Sequence, residues 1–125
     1  MNHPRSLQGP EGAAIKRIIR AALDAVDAAK AVRRTLRRDG NSLYVGESVY
    51  HLQDYDNVYL AGLGKAGAAM LRAAADVLGE SLDCGVVVVK EGHTGDSTLL
   101  PRTVEVIEAG HPIPDRRSVR GAERL

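Results

Sequence analysis

The stretch Leu60-Ala-Gly-Leu-Gly-Lys-Ala-Gly-Ala-Ala-Met70 places three glycines, Gly62, Gly64 and Gly67, at G-x-G-x-x-G spacing, with Lys65 inside the motif. A turn of this kind between a strand and a helix aims backbone N–H groups at an anion. Gly62 and Gly64 permit positive φ and close approach of a ligand, and Gly67 lets the helix lie against the strand. A cation at a helix N-terminus opposes the macrodipole by about 0.3–1 kcal/mol where exposed. An anion held between Lys65 and the turn amides reverses that cost. Otherwise Lys65 simply extends into water.

Two further stretches carry candidate groups. Glu108-Ala-Gly-His-Pro-Ile-Pro-Asp115 follows an expected strand, at the end where α/β sheets bind ligands. Pro112 and Pro114 restrict the chain around His111, which then has little entropy to lose on binding. The competing reading gives His111 a backbone hydrogen bond and makes Asp115 an ordinary helix N-cap. Lys90-Glu-Gly-His-Thr-Gly-Asp96 also follows a strand, so Lys90 and His93 are expected to face the crevice of Lys65. His93, Asp96 and His111 match no compact metal motif, and no metal site is assigned. Cys84 reads as a small buried hydrophobe rather than a nucleophile.

Neither nucleotide motif is complete. A dinucleotide site wants an acidic residue ending the next strand, about 20 positions on, to hold the ribose. Here that strand ends at Lys90-Glu91, late for the role and with Lys90 first. A P-loop requires Gly at Tyr59 and Ser or Thr at Ala66, so its Mg²⁺-binding hydroxyl is missing.

The elements that must position these groups follow from periodicity. Residues 1–10 read as a flexible polar arm. Ile15, Ile18, Ile19, Ala22 and Val26 recur at helical spacing. Asp27 caps a second helix that turns Val32 and Leu36 inward, carries Arg33, Arg34, Arg37 and Arg38 near its end as a solvated face, and stops at Gly40. Residues 41–52 read as two short strands around Gly46-Glu47. A buried strand over 57–61, a helix over 66–78, a strand over 84–90, a long loop, a strand over 103–109 and a helix from about Asp115 complete the order. That order predicts an α/β fold: an open, mostly parallel, Rossmann-like three-layer sheet with helices on both faces. The last helix has barely begun at Leu125, so the sequence reads as truncated, with uncovered sheet surface through which the chain would self-associate.

Composition agrees. The chain has 125 residues, a formal charge of +1, no Phe or Trp and four Tyr, which gives neither the field nor the stacking platforms of a nucleic-acid binder. Ala, Val, Leu and Ile must build the core, as in parallel sheets covered on both faces. With one cysteine, no signal-peptide h-region and no apolar run long enough to span a bilayer, a soluble cytoplasmic protein without a membrane partner is expected.

Taken together, these stretches resemble the glycerate 2-kinases with a C-terminal MOFRL domain, some of which are labelled hydroxypyruvate reductases. Ala22-Leu-Asp-Ala-Val-Asp27 is similar to the A-L-x-A-V-D of their opening helix. Gly62-Leu-Gly-Lys-Ala66 with Met70, Gly85 to Lys90 with Gly92 and His93, and Glu108 to Asp115 match their later elements in order. The resemblance implies that residues 11–125 are the N-terminal portion of the large α/β domain. A Gly/Ser-rich loop, further basic residues and the second domain would then lie beyond residue 125. It implies ATP-dependent phosphorylation of D-glycerate to 2-phosphoglycerate, with Mg²⁺, and places Lys65 in the cleft. Lys65 and His111 are the catalytic candidates; Gly62, Gly64, Lys90, His93 and Asp115 are candidates for binding substrate or phosphate. Two alternatives stay open: an NAD(P)-dependent hydroxypyruvate reductase, and a non-catalytic fragment or assembly module.

Overall fold

The structure, a computed structural model, describes residues 9–95 and 99–125. Helix α1 (Pro10–Ala25) starts within the arm expected to be flexible. Pro10 sits in its first turn, where a missing N–H costs nothing. The helical period is present, but Gly12 is the only buried residue, and Ile18, Leu23 and Val26 are 69%, 64% and 77% exposed. No described element covers this apolar stripe.

Helix α2 (Ala28–Thr35) is capped by Asp27, whose carboxylate accepts the Lys30 N–H at 2.7 Å. It ends five residues before Gly40. Leu36–Asp39 is instead strand β1, paired antiparallel with β2 (Ser42–Val45), which pairs with β3 (Ser48–His51). Gly40, at φ 55°, makes the hairpin turn rather than a helix stop. The arginines explain the switch. Arg37 lies 3.9 Å over the Tyr44 ring, and Arg38 donates to the carbonyls of Gly40 and Leu78, the latter at the end of the next helix. Arg33 pairs with Asp76 of that helix. Tertiary partners thus override local helix propensity, and two of the four arginines anchor another element instead of facing water alone.

The second sheet is parallel, with strand order β4 (Tyr59–Leu63), β5 (Cys84–Lys90), β6 (Val104–Ala109). Register pairs Leu63 with Val88, and Lys90 with Ala109, so the carboxyl ends of all three strands share one edge. Helix α3 (Gly67–Leu78) covers one face. Its Ala68, Leu71, Ala75 and Leu78 bury Val87 and Val89 of the central strand, with Leu82 and Val104. Helix α4 (Arg116–Arg124) lies on the opposite face, where Gly121 meets Val88. The alternation along Val86-Val-Val-Val89 therefore serves two helices at once.

Two further expectations change. The strand expected over 57–61 as buried starts at Tyr59, runs through Gly62 to Leu63 and is an edge among the described strands, with Tyr59 and Leu63 exposed. Cys84, expected to be buried, is exposed where β5 begins. No helix among the described residues is long and apolar enough to cross a membrane.

Candidate functional site

Each of the three parallel strands ends in a tight turn at the shared edge. After β4 the chain turns at Gly64, whose φ of 94° only glycine adopts readily and whose N–H donates to the Val88 carbonyl at 2.9 Å. Gly62 behaves differently from expectation. It lies inside β4 without positive φ, and a Cβ there would stand 3.0 Å from a Val87 methyl and 3.2 Å from Leu71. Its smallness admits α3 rather than a ligand. Gly67 does the same, with a Cβ 3.0 Å from Val87. No side chain caps the N-terminus of α3.

After β5, Gly92 (φ 73°) donates its N–H to Glu108 Oε1 at 2.8 Å, and the His93 N–H reaches the Lys90 carbonyl at 2.9 Å. Glu108, at the end of β6, therefore fixes the neighbouring loop. After β6, Gly110 is pressed against the turn it begins: a Cβ would lie 2.7 Å from the Ile113 carbonyl oxygen and 2.9 Å from Asp115 Oδ2. The His111–Pro112 peptide is cis.

Asp115 serves α4. Its carboxylate accepts the N–H groups of Arg117 (2.9 Å) and Ser118 (3.3 Å), while its own N–H donates to Ser118 Oγ at 3.1 Å, closing a capping box. The Arg117 guanidinium, 2.7 Å away, holds the Asp115 carboxyl at about 2, below its ordinary 3.8, helped by backbone N–H groups that include that of Gly110. Arg117 also bonds Glu91 at 2.9 Å, tying α4 to the loop after β5. Asp115 is thus engaged by the helix, not by His111. Glu91, the acidic residue at the strand end, is likewise held in an ion pair.

The remaining candidates line two clefts. The larger, about 520 Å³, opens on the α4 side of the edge and includes Gly64, Lys65, Lys90 and His111 between Leu63 and Ala122. The smaller, about 160 Å³, opens on the α3 side and includes Lys65, Arg72, His93 and Thr94. Lys65 belongs to both; His93 shares the edge with His111 but not its cleft. Among the described residues, no Asp or Glu side chain lines either cleft. Basic groups gathered without a counter-charge repel one another, and a bound anion relieves that repulsion. Among the described residues no three His, Cys, Asp or Glu converge as a metal site, and Asp96, considered above with His93 and His111, lies outside those residues. Arg72 escaped the sequence reading. Its signal was present: Lys65, Ala68, Ala69 and Arg72 recur at helical spacing and line one cleft.

The family described as Domain of unknown function (DUF4147) matches residues 14–125. A protein of Pyrococcus horikoshii named glycerate 2-kinase is 34% identical over 107 residues, which cover 86% of this chain and 22% of that protein. A crystal structure of a Pyrococcus horikoshii protein superimposes with a TM-score of 0.72 at 34% identity, over 86% of this chain and 23% of that one. The crystal structure of glycerate kinase from Thermotoga maritima gives a TM-score of 0.62 at 29% identity, over 86% and 22%. The chain thus spans less than a quarter of the length of these relatives.

Proposed function

This chain belongs to the DUF4147 family, shared with the glycerate 2-kinases it resembles, and from that premise we propose that it supplies one wall of an ATP-dependent glycerate kinase site. The reaction is phosphorylation of D-glycerate to 2-phosphoglycerate by the complete protein, acting in the cytoplasm. Its sheet is the start of a Rossmann-like domain, residues 11–125 forming the N-terminal portion.

The observation that carries this reading is the clustering of Lys65, Lys90 and His111 around one cleft at the carboxyl edge of a parallel sheet, with no carboxylate side chain lining it among the described residues. Phosphoryl transfer is chiefly positioning and charge neutralisation. Lys65 neutralises the transferred phosphoryl group beside the turn amides of Gly64. Lys90 holds the carboxylate of glycerate. His111 orients the reacting hydroxyl and holds its proton as the oxygen attacks. Asp115 acts at one remove, fixing the start of α4 and the turn that carries His111. Among the described residues no three His, Cys, Asp or Glu converge, so Mg²⁺ would be held largely by the nucleotide's own phosphates.

The test uses a protein carrying this segment within a chain of its relatives' length. Lys65→Ala should lower glycerate-dependent turnover by about 10²–10³, the loss typical of one electrostatic donor. Lys65→Arg should rescue poorly, because a planar fork replaces a compact ammonium. Wild-type turnover in a folded Lys65→Ala protein overturns the assignment. Titration with NADH and with ATP separates the kinase from the hydroxypyruvate reductase that the glycine spacing alone would suggest; saturable NADH binding without ATP binding favours the latter.

A further inference from the structure

We propose that the α3-side cleft is a separate phosphate subsite, with Arg72 as its principal ligand and Lys65 shared between it and the larger cleft. Three observations converge. Among the described residues, the cleft is lined by Lys65, Arg72 and His93, with Thr94 adding a hydroxyl, and by no carboxylate side chain. Among the described residues, neither Arg72 nor Lys65 lies within ion-pair distance of an Asp or Glu; other exposed arginines such as Arg20 and Arg102 share that condition, and Arg72 differs from them in sharing a cleft with a second cation. Its volume of about 160 Å³ admits a phosphoryl group, but falls well below the roughly 300–1,000 Å³ of a pocket that encloses a whole small ligand.

The placement gives the subsite a role. The two clefts open on opposite faces of the sheet and share Lys65 in their lining, which places this cation at the border between them. Arg72 presents a planar fork of N–H donors suited to the oxygens of phosphate, and it rides on α3, whose buried alanines fix its position. The subsite holds the phosphate tail of the nucleotide, and the larger cleft holds the hydroxy acid. This division of labour rests on the kinase reading above, whereas the existence of the anion site does not.

The experiment therefore uses the chain without any turnover assay. Inorganic pyrophosphate, inorganic phosphate and D-glycerate are each titrated into the wild-type protein and three variants, with amide chemical shifts as readout and circular dichroism as the check on folding. Arg72→Ala should weaken pyrophosphate binding by about tenfold or more, the loss of one charge-assisted bond. Arg72→Lys should recover part of that loss, and D-glycerate affinity should stay within twofold of wild type. Arg20→Ala, which removes an exposed cation from α1, should change nothing. Equal weakening of pyrophosphate and inorganic phosphate in Arg72→Ala supports a subsite for a single phosphoryl group. Weakening of pyrophosphate alone supports one for a nucleotide tail. The proposal is overturned if wild type binds no phosphate, if Arg72→Ala binds it normally, or if Arg20→Ala loses as much. Failure of the kinase reading looks different: phosphate binding persists while a protein carrying this segment within a chain of its relatives' length shows no glycerate-dependent consumption of ATP.

Discussion

Asp115 shows how one side chain can order a helix start and the turn before it. Its carboxyl titrates at about 2 rather than 3.8 because Arg117 and three backbone N–H groups favour the ionised form. Folding therefore stabilises the carboxylate. That contribution is fully present above the ordinary carboxylate value and is lost as the pH falls from about 4 through about 2. Asp115→Asn keeps an N-cap acceptor but removes the titration. Urea denaturation midpoints measured from pH 6 to pH 2 should show wild type losing its advantage over Asp115→Asn across that window. Parallel curves for the two proteins would mean that the Arg117 pair contributes nothing. Glu91 and Glu108 are likewise engaged within the fold: one is held by Arg117, the other holds Gly92.

At the scale of elements, the fit of α4 on the sheet depends on one missing methyl. A Cβ at Gly121 would stand 2.8 Å from a Val88 methyl, in a strand held from its other face by α3. Helix propensity alone predicts that Gly121→Ala stabilises by about 1 kcal/mol. Overpacking costs roughly 1–3 kcal/mol, so a net loss is expected, measurable by urea denaturation. A more stable variant would show that α4 can slide. The sheet and the helices α3 and α4 were legible because periodicity, a valine run and an N-capping aspartate all act locally. What escaped the sequence was set by distant partners. The helix was expected to run to Gly40, but Arg37 finds Tyr44 and Arg38 finds Leu78, and neither partner is visible from the local pattern. Gly62 looked like a ligand glycine because the motif does not say which glycine faces the helix. The site was legible as a set of strand-end residues; its division into two clefts on opposite faces was not, because it depends on where the loop bearing His93 and the turn bearing His111 come to lie.

For the whole molecule, the decisive feature is how much apolar surface stays uncovered. Ile15, Ile18, Ile19 and Leu23 of α1 and Val26, which follows it, are 45–77% exposed, and Tyr59 and Leu63 of β4 are 64% and 69% exposed. Folded monomers seldom leave such patches bare, and removing this surface from water is favourable at about 25 cal/mol per Å². The 125-residue chain alone should therefore self-associate as its concentration rises, which sedimentation velocity over a hundredfold range of concentration would reveal. Replacing Ile18 and Leu23 together by lysine should shift it toward monomer with little loss of helix, because both side chains are already in solvent. The same exposure bears on activity. A cleft formed by one sheet edge and one helix stays open to water and cannot strengthen charge interactions as an enclosed site does. Glycerate-dependent consumption of ATP should thus be absent from this chain in isolation, monomeric or associated, while anion binding persists. Robust turnover by the lysine double variant, shown to be monomeric, would mean that the wall formed by β4, β5, β6 and α4 is the whole site.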